Sequence, residues 1–303
     1  MKQLLILSGK GGTGKTTVAS AFIKLLKAKT YADCDVDAPN LHLVMAQKSE
    51  PKKTDYYGMP VAVINKDKCI RCGLCKESCR FEAISLEDDF KINPFACEGC
   101  GVCELVCPVN AVNLKPAISG QLTLYADDEN TFSTAQLKMG VGASGLLVTE
   151  VKKQMKTAAN PRTKIAIIDG SPGIGCPVIA SLSGVDMVLI VAEPSVSGIS
   201  DMERIIKTAR TFETQIAVCV NKYDSNILHT QKIENFCKEE GIVFTGKIPF
   251  DENAVKAINN GQTVVDIDCP SGLAIRKVFK ETMLLLQENN QKSFKNVNME
   301  EKI

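Results

Sequence analysis

The sequence predicts an α/β protein: a doubly wound, mostly parallel sheet with a small α+β module set into it. Short apolar runs near 3–8, 30–34, 121–125, 164–169, 186–192, 215–220 and 243–248 alternate with helical spacing near 16–27, 144–156, 200–210, 229–239 and 272–287. Alternation of this kind builds a parallel sheet with helices on both faces. A glycine-rich loop joins the first strand to the first helix, and eight of the 13 cysteines crowd between positions 69 and 107. The balance of 36 basic against 35 acidic residues, a net charge of +1, gives no case for nucleic-acid binding. No apolar run is long enough to span a bilayer, and Met1 leads almost directly into Leu4–Leu7 with no secretory pattern. A cytoplasmic chain without membrane contact is expected. In such a reducing compartment, 13 cysteines argue for metal or redox chemistry rather than disulfides.

The first strand runs into Gly9-Lys10-Gly11-Gly12-Thr13-Gly14-Lys15-Thr16, the pattern of a phosphate-binding loop in its required strand–loop–helix setting. Val18, Phe22, Leu25 and Leu26 give the following helix its apolar stripe. Glycines let the loop curl so that the amides of Gly11, Gly12, Thr13, Gly14, Lys15, Thr16 and Thr17 converge on a nucleoside triphosphate at a helix N-terminus. Lys15 is expected on the β- and γ-phosphates and the Thr16 hydroxyl on Mg²⁺. The second strand ends in Asp33, Asp35 and Asp37, where ligands of doubly wound sheets bind. Asp33 and Asp37 can equally cap a turn, Asp37 the more so. Lys164–Asp169 is another apolar strand ending in an acid, followed by Gly170-Ser171-Pro172-Gly173. Gln215–Val220 leads into Asn221-Lys222-Tyr223-Asp224; because this tetrad resembles a guanine-reading motif, GTP stays open beside ATP.

The module interrupts this pattern after the second strand. Residues 64–84 align without gaps to 92–112, and all four cysteines of each half superimpose. Each half carries C-x₂-C-x₂-C-x₃-C: Cys69, Cys72, Cys75 and Cys79, then Cys97, Cys100, Cys103 and Cys107. This spacing resembles that of a bacterial two-cluster ferredoxin, in which the fourth cysteine of each run reaches the other cluster. One [4Fe–4S] cluster is thus expected on Cys69, Cys72, Cys75 and Cys107, and a second on Cys97, Cys100, Cys103 and Cys79. Pro108 follows the pattern, whereas Arg80 stands where the first run would have its proline. Structural zinc is the alternative, although zinc modules present separated pairs rather than two four-cysteine runs. The expected organisation is a discontinuous nucleotide-binding domain (1–60 and 115–290), an inserted ferredoxin module (61–114) whose ends lie close together, and a polar, frayed tail (291–303).

The segment 9–17, with its extra Lys10, resembles the deviant phosphate loop of the MinD/ParA/Mrp superfamily of P-loop ATPases, and the resemblance extends over essentially the whole chain outside the module. It implies ATP hydrolysis by a homodimer that forms on ATP binding, with Lys10 crossing to the partner's nucleotide. It further implies that Asp35 orients the attacking water near Mg²⁺ and that Asp169 holds Mg²⁺ through water. Asn221 would contact adenine, with Pro249 in the loop over the base. Cys176, seven residues after Asp169, sits at the interval where the related nitrogenase iron protein has a cluster ligand. A second ligand would fall near Ala143, which has no thiol, so a buried or substrate-facing thiol is expected instead. Arg276–Glu288 is expected to pack on the sheet as a final helix rather than bind membranes. Joined to two clusters, the ATPase is expected to gate electron transfer from an unidentified redox donor to a client protein. Iron–sulfur assembly or carriage, and positioning of a redox complex with hydrolysis as a timer, are the alternatives.

Overall fold

The computed structural model describes residues 1–300 apart from Lys48 and Ala143, with side chains described as far as Gln287. The chain opens with β1 (Lys2–Leu7), α1 (Lys15–Leu26), β2 (Thr30–Asp33), a single turn α2 (Leu41–Val44) and β3 (Lys52–Tyr57). The cysteine-rich segment follows as β4 (Val61–Ile64), α3 (Leu74–Glu77), β5 (Ile84–Leu86), β6 (Phe90–Ile92), α4 (Val102–Leu105) and β7 (Val112–Lys115). The chain then returns through β8 (Ile118–Ala126), β9 (Thr131–Leu137), α5 (Ser144–Ala158), β10 (Ile165–Asp169), α6 (Cys176–Leu182) and β11 (Met187–Ala192). It closes with α7 (Val196–Arg210), β12 (Gln215–Asn221), α8 (Ile227–Glu239), β13 (Val243–Ile248), α9 (Glu252–Asn259) and α10 (Pro270–Glu300).

Nine strands form one sheet in the order β13-β12-β11-β1-β10-β2-β9-β8-β3. The seven from β13 to β9 run parallel, while β8 lies antiparallel to both β9 and β3. The central strands read as unbroken apolar runs because helices cover both faces. Leu5, Leu7, Ile168 and Ile190 meet Leu147, Val151, Met202 and Ile206 on one face, and Leu4, Ile6 and Ile167 meet Phe22, Ile275, Val278 and Met283 on the other. Phe22 also meets Phe279 edge-on at 5.1 Å. Burying each such side chain contributes about 1.5–3 kcal/mol. The final helix therefore packs on the sheet, as expected, through Ile275, Val278, Met283 and Leu286.

The structure corrects the sequence-based outline in several places. In the large sheet the strands β3 and β9 were not anticipated, and outside the cysteine-rich segment neither were the helices α2, α6 and α9. The cysteine-rich segment leaves after the third strand rather than the second, from the sheet's antiparallel edge. Its ends lie side by side, because β4 pairs antiparallel with β7 and Val61 stands opposite Lys115. It has a small core of its own, with Ala62, Ile84, Phe90 and Val112 packed among its cysteines. The backbone of α10 is helical from Pro270 to Glu300, into the segment expected as a tail. The last part of the expected tail, 301–303, lies outside the described residues. Among the described residues no helix is long and apolar enough to cross a membrane.

Candidate functional site

The parallel strands end their C-terminal edges around the loop 8–14. Gly14 adopts φ 91°, a left-handed conformation, and a Cβ there would lie 2.2 Å from Asn221 Nδ2. Only glycine lets β12 close so tightly onto the loop. The Asn221 amide donates to Thr13 O (2.7 Å), and Lys222 Nζ donates to Gly12 O (2.8 Å). The Thr13 hydroxyl, by contrast, is buried with no partner among the described residues. A polar atom kept there at a cost of about 1–3 kcal/mol marks a place where a ligand completes the bonding.

Behind the loop, Lys15 is 6% exposed and Asp169 fully buried. Lys15 Nζ donates to Asp169 Oδ1 at 2.6 Å, and the Thr16 hydroxyl donates to Asp169 Oδ2 at 2.7 Å. Asp35 Oδ2 stands 4.0 Å from the same ammonium. Burial alone would lower the Lys15 pKa, but Asp169, with Asp33 and Asp35, outweighs it and holds the ammonium above its ordinary value. Burial, reinforced by Asp169, raises the Asp35 carboxyl, and the same causes push Asp33 up to about 7. Three acids thus surround one ammonium in a poorly solvated place. The oxygens of Asp35 and Asp169, with the Thr16 hydroxyl, are hard donors of the kind that Mg²⁺ takes, and a divalent cation would relieve the repulsion among the acids.

Asp33 corrects the expectation that Asp37 was the structural acid. It is fully buried and accepts from the backbone amides of Asp35, Asn40 and Leu41, each at 3.0 Å, so it shapes the loop that presents Asp35. Asp37 is exposed.

Lys10 points back to its own chain, 2.7 Å from Glu193 Oε2 and 3.3 Å from the Ser195 hydroxyl. Glu193 also faces Lys222 Nζ at 3.4 Å. Sequence reasoning missed Glu193, although its place at the end of an apolar strand, like that of Asp33 and Asp169, could have flagged it. Asn221 and Pro249 line one cleft of about 230 Å³ with Gly12, Gly14 and Thr17. Asp224 Oδ1 instead accepts from Phe250 N at 2.8 Å. That bond engages one oxygen of the acid in the Asn221–Asp224 tetrad.

The eight clustered cysteines line two further cavities. Cys69, Cys72, Cys75 and Cys107 share one, and Cys79, Cys97, Cys100 and Cys103 share the other. Their thiols do not stand as a preformed metal site; among the described residues no three His, Cys, Asp or Glu side chains do. The Ala111 amide points at Cys107 Sγ (3.2 Å) and the Ala62 amide at Cys97 Sγ (3.5 Å). Burial tends to raise the Cys107 thiol, but the amides of Val109, Ala111, Val112 and Asn110 outweigh it and favour thiolate. Burial raises the Cys75 and Cys103 thiols instead; four cysteines around one cavity are a donor set of the kind an iron–sulfur cluster takes. Elsewhere, burial pushes the Cys34, Cys219 and Cys237 thiols up to about 12, which keeps them inert. Cys176 opens α6 and is exposed, not buried.

Residues 4–264 match the profile of the CobQ/CobB/MinD/ParA nucleotide binding domain. An uncharacterised protein of Methanocaldococcus jannaschii is 34% identical over 92% of this chain and 95% of its own length. A more distant relative from the same organism, called an iron-sulfur cluster carrier protein, is 22% identical over 92% of this chain and 82% of its own. Among solved structures, the septum site-determining protein MinD of Pyrococcus horikoshii, complexed with Mg-ADP, superposes with a TM-score of 0.55 at 17% identity, covering 94% of this chain and 97% of that one.

Proposed function

From the premise that this chain belongs to the CobQ/CobB/MinD/ParA nucleotide-binding family, and is a P-loop ATPase of its MinD/ParA type, we propose that it is a nucleotide-switched dimer that couples ATP to electron transfer through two [4Fe–4S] clusters. In this reading the amides of Gly11–Thr17 cradle the phosphates and Lys15 turns from Asp169 to the β- and γ-oxygens. Thr16, Asp35 and Asp169 hold Mg²⁺, which supplies charge neutralisation at the phosphates. Asp35 orients the attacking water. Asn221 and Pro249 bound the base, and the phosphate loop with its extra Lys10 favours adenine over guanine by its resemblance to the ATPases. Lys10 leaves Glu193 to reach the partner's nucleotide.

One observation carries the redox half of the proposal. Each cavity is lined by three cysteines of one run and the fourth of the other, Cys107 with the first run and Cys79 with the second. That crossing is the arrangement expected of a two-cubane module. The clusters would supply one-electron transfer between a donor and a client.

Carriage of clusters is the second reading, favoured by the exposed thiols of Cys72 and Cys100 and by the name of the distant relative. Ligation shared between two runs argues against it, because release must open both runs. Anaerobic purification decides the metal: about eight irons per chain are expected from two four-iron cubanes. A colourless protein, or one with about two zincs, ends the electron-transfer reading. Rapid loss of iron to an apo-ferredoxin acceptor would favour carriage instead.

A further inference from the structure

The cysteine-rich segment meets the rest of the chain along a seam marked by glycines. A Cβ on Gly140 would lie 3.2 Å from the Phe95 ring, and one on Gly142 would lie 3.5 Å from Glu98 Oε2. Phe95 and Glu98 flank Cys97, which lines the second cavity. Three residues beyond Gly142, in the first turn of α5, Gly145 backs onto Cys176: a Cβ there would lie 3.1 Å from the Cys176 carbonyl oxygen. Cys176 is the first residue of α6, and the loop 170–175 joins it directly to Asp169 in the nucleotide site.

The two helices are also clamped at the other end of α6. Lys152 of α5 is 5% exposed, and its ammonium donates to the carbonyls of Ala180 (3.1 Å), Ser181 (2.6 Å) and Ser183 (2.6 Å). Charge-assisted bonds to the last carbonyls of a helix are strong ones. Gly145 thus backs on one end of α6 and Lys152 bonds to the other, so the two helices are joined at both ends. The loop leading into α5 is in turn the one that Phe95 and Glu98 touch.

We propose that α5 and α6 form a lever joining the nucleotide site to the second cysteine set, Cys79, Cys97, Cys100 and Cys103. Nucleotide and Mg²⁺ rearrange Asp169 and the loop 170–175. The helix pair carries that change to the Phe95–Glu98 contact, and the coupling is reciprocal, as any linkage between two sites must be. The proposal rests on the electron-transfer reading only for what the cysteines hold; the contacts stand without it.

The test is hydrogen–deuterium exchange of residues 93–100 in the full-length, anaerobically purified protein, without nucleotide and with saturating Mg-ADP. A change of about fivefold or more in exchange is expected, at the lower end of ordinary coupling. It should vanish in Phe95→Ala, which removes a ring that is 68% exposed and leaves the buried core alone. Lys152→Met should also abolish it while Mg-ADP binding persists. An iron-loaded protein with unchanged exchange, or a Phe95→Ala protein that transmits as well as the parent, overturns the lever. A colourless protein that still shows the change sustains the lever and overturns the electron-transfer reading alone.

Discussion

Asp169 is the residue on which the nucleotide-free site balances, because it is the fully buried partner of an almost fully buried lysine. Removing one partner of such a pair leaves an uncompensated charge, at a cost of about 3–5 kcal/mol. Here Asp33 and Asp35 remain near Lys15, so Asp169→Ala should cost the nucleotide-free protein about 3 kcal/mol in urea unfolding; a loss within error would mean that the pair is solvated. Glu193 makes a pH prediction. Burial tends to raise its carboxyl, but Lys10 and Lys222 outweigh that and hold it below the usual value of 4.5. Its contribution is therefore complete above about pH 4.5 and disappears as pH falls through the lowered native value. Both lysines are partly exposed, so the pairing is worth no more than about 1 kcal/mol. Glu193→Gln should lower the melting temperature by a small, constant amount above about pH 4.5 and converge with the parent as pH falls through the lowered native value; an equal loss at every pH would show that the carboxylate's charge is not what matters. The acids show what a sequence can and cannot reveal at this scale. That carboxylates cluster where β2 and β10 end was legible, but which of them served the backbone was not. That depended on Asn40 and Leu41 folding back onto Asp33, a contact across seven or eight residues that no local pattern encodes.

Among the elements, the strand–loop–helix around Gly14 and the central strands were readable because burial on both faces leaves continuous apolar runs. The edge strand β3, Lys52–Tyr57, was not: it buries only Tyr56, and its lysines protect a sheet edge rather than advertise a strand. β9 was missed for a related reason. Ser133 and Thr134 break its apolar pattern, although Ser133 is satisfied by donating to Val151 O (2.9 Å) within the core. The helix α6 is a short element starting at Cys176-Pro177, and its hold on the fold comes from Lys152, twenty-four residues upstream in sequence. At the phosphate loop the element-level prediction is direct. Gly14→Ala imposes a left-handed φ on a residue with a Cβ and drives that Cβ into Asn221. Strain of this type costs about 1–3 kcal/mol. Mg-nucleotide binding, followed by calorimetry, should fall below detection while the far-ultraviolet spectrum keeps its α/β form; retained affinity would show that β12 gives way.

For the whole molecule the question is what frees Lys10. Within one chain it is engaged three ways, by Glu193, Ser195 and Ser197, on the rim of the nucleotide site. A lysine that already has a partner in its own chain gains little by crossing to another subunit unless something stronger waits there. The phosphates of a bound triphosphate provide that, being multiply charged and held in a cradle that excludes water. The exchange of Glu193 for phosphate would make dimer formation depend on nucleotide, since an empty partner offers nothing better than the residue left behind. Two variants separate this from a lysine that merely props the loop. Lys10→Ala should retain Mg-ATP binding within about threefold, because Lys15 and the loop amides remain, yet lose about a thousandfold or more in turnover, as expected when a cation supplied in trans is removed. Glu193→Ala should do the opposite, raising the dimer fraction at low ATP in sedimentation velocity by releasing Lys10 early. Unchanged turnover in Lys10→Ala sinks the trans role whatever Glu193→Ala does. A dimer fraction that ignores Glu193→Ala leaves Lys10 its chemistry and removes only the idea that its own chain restrains it.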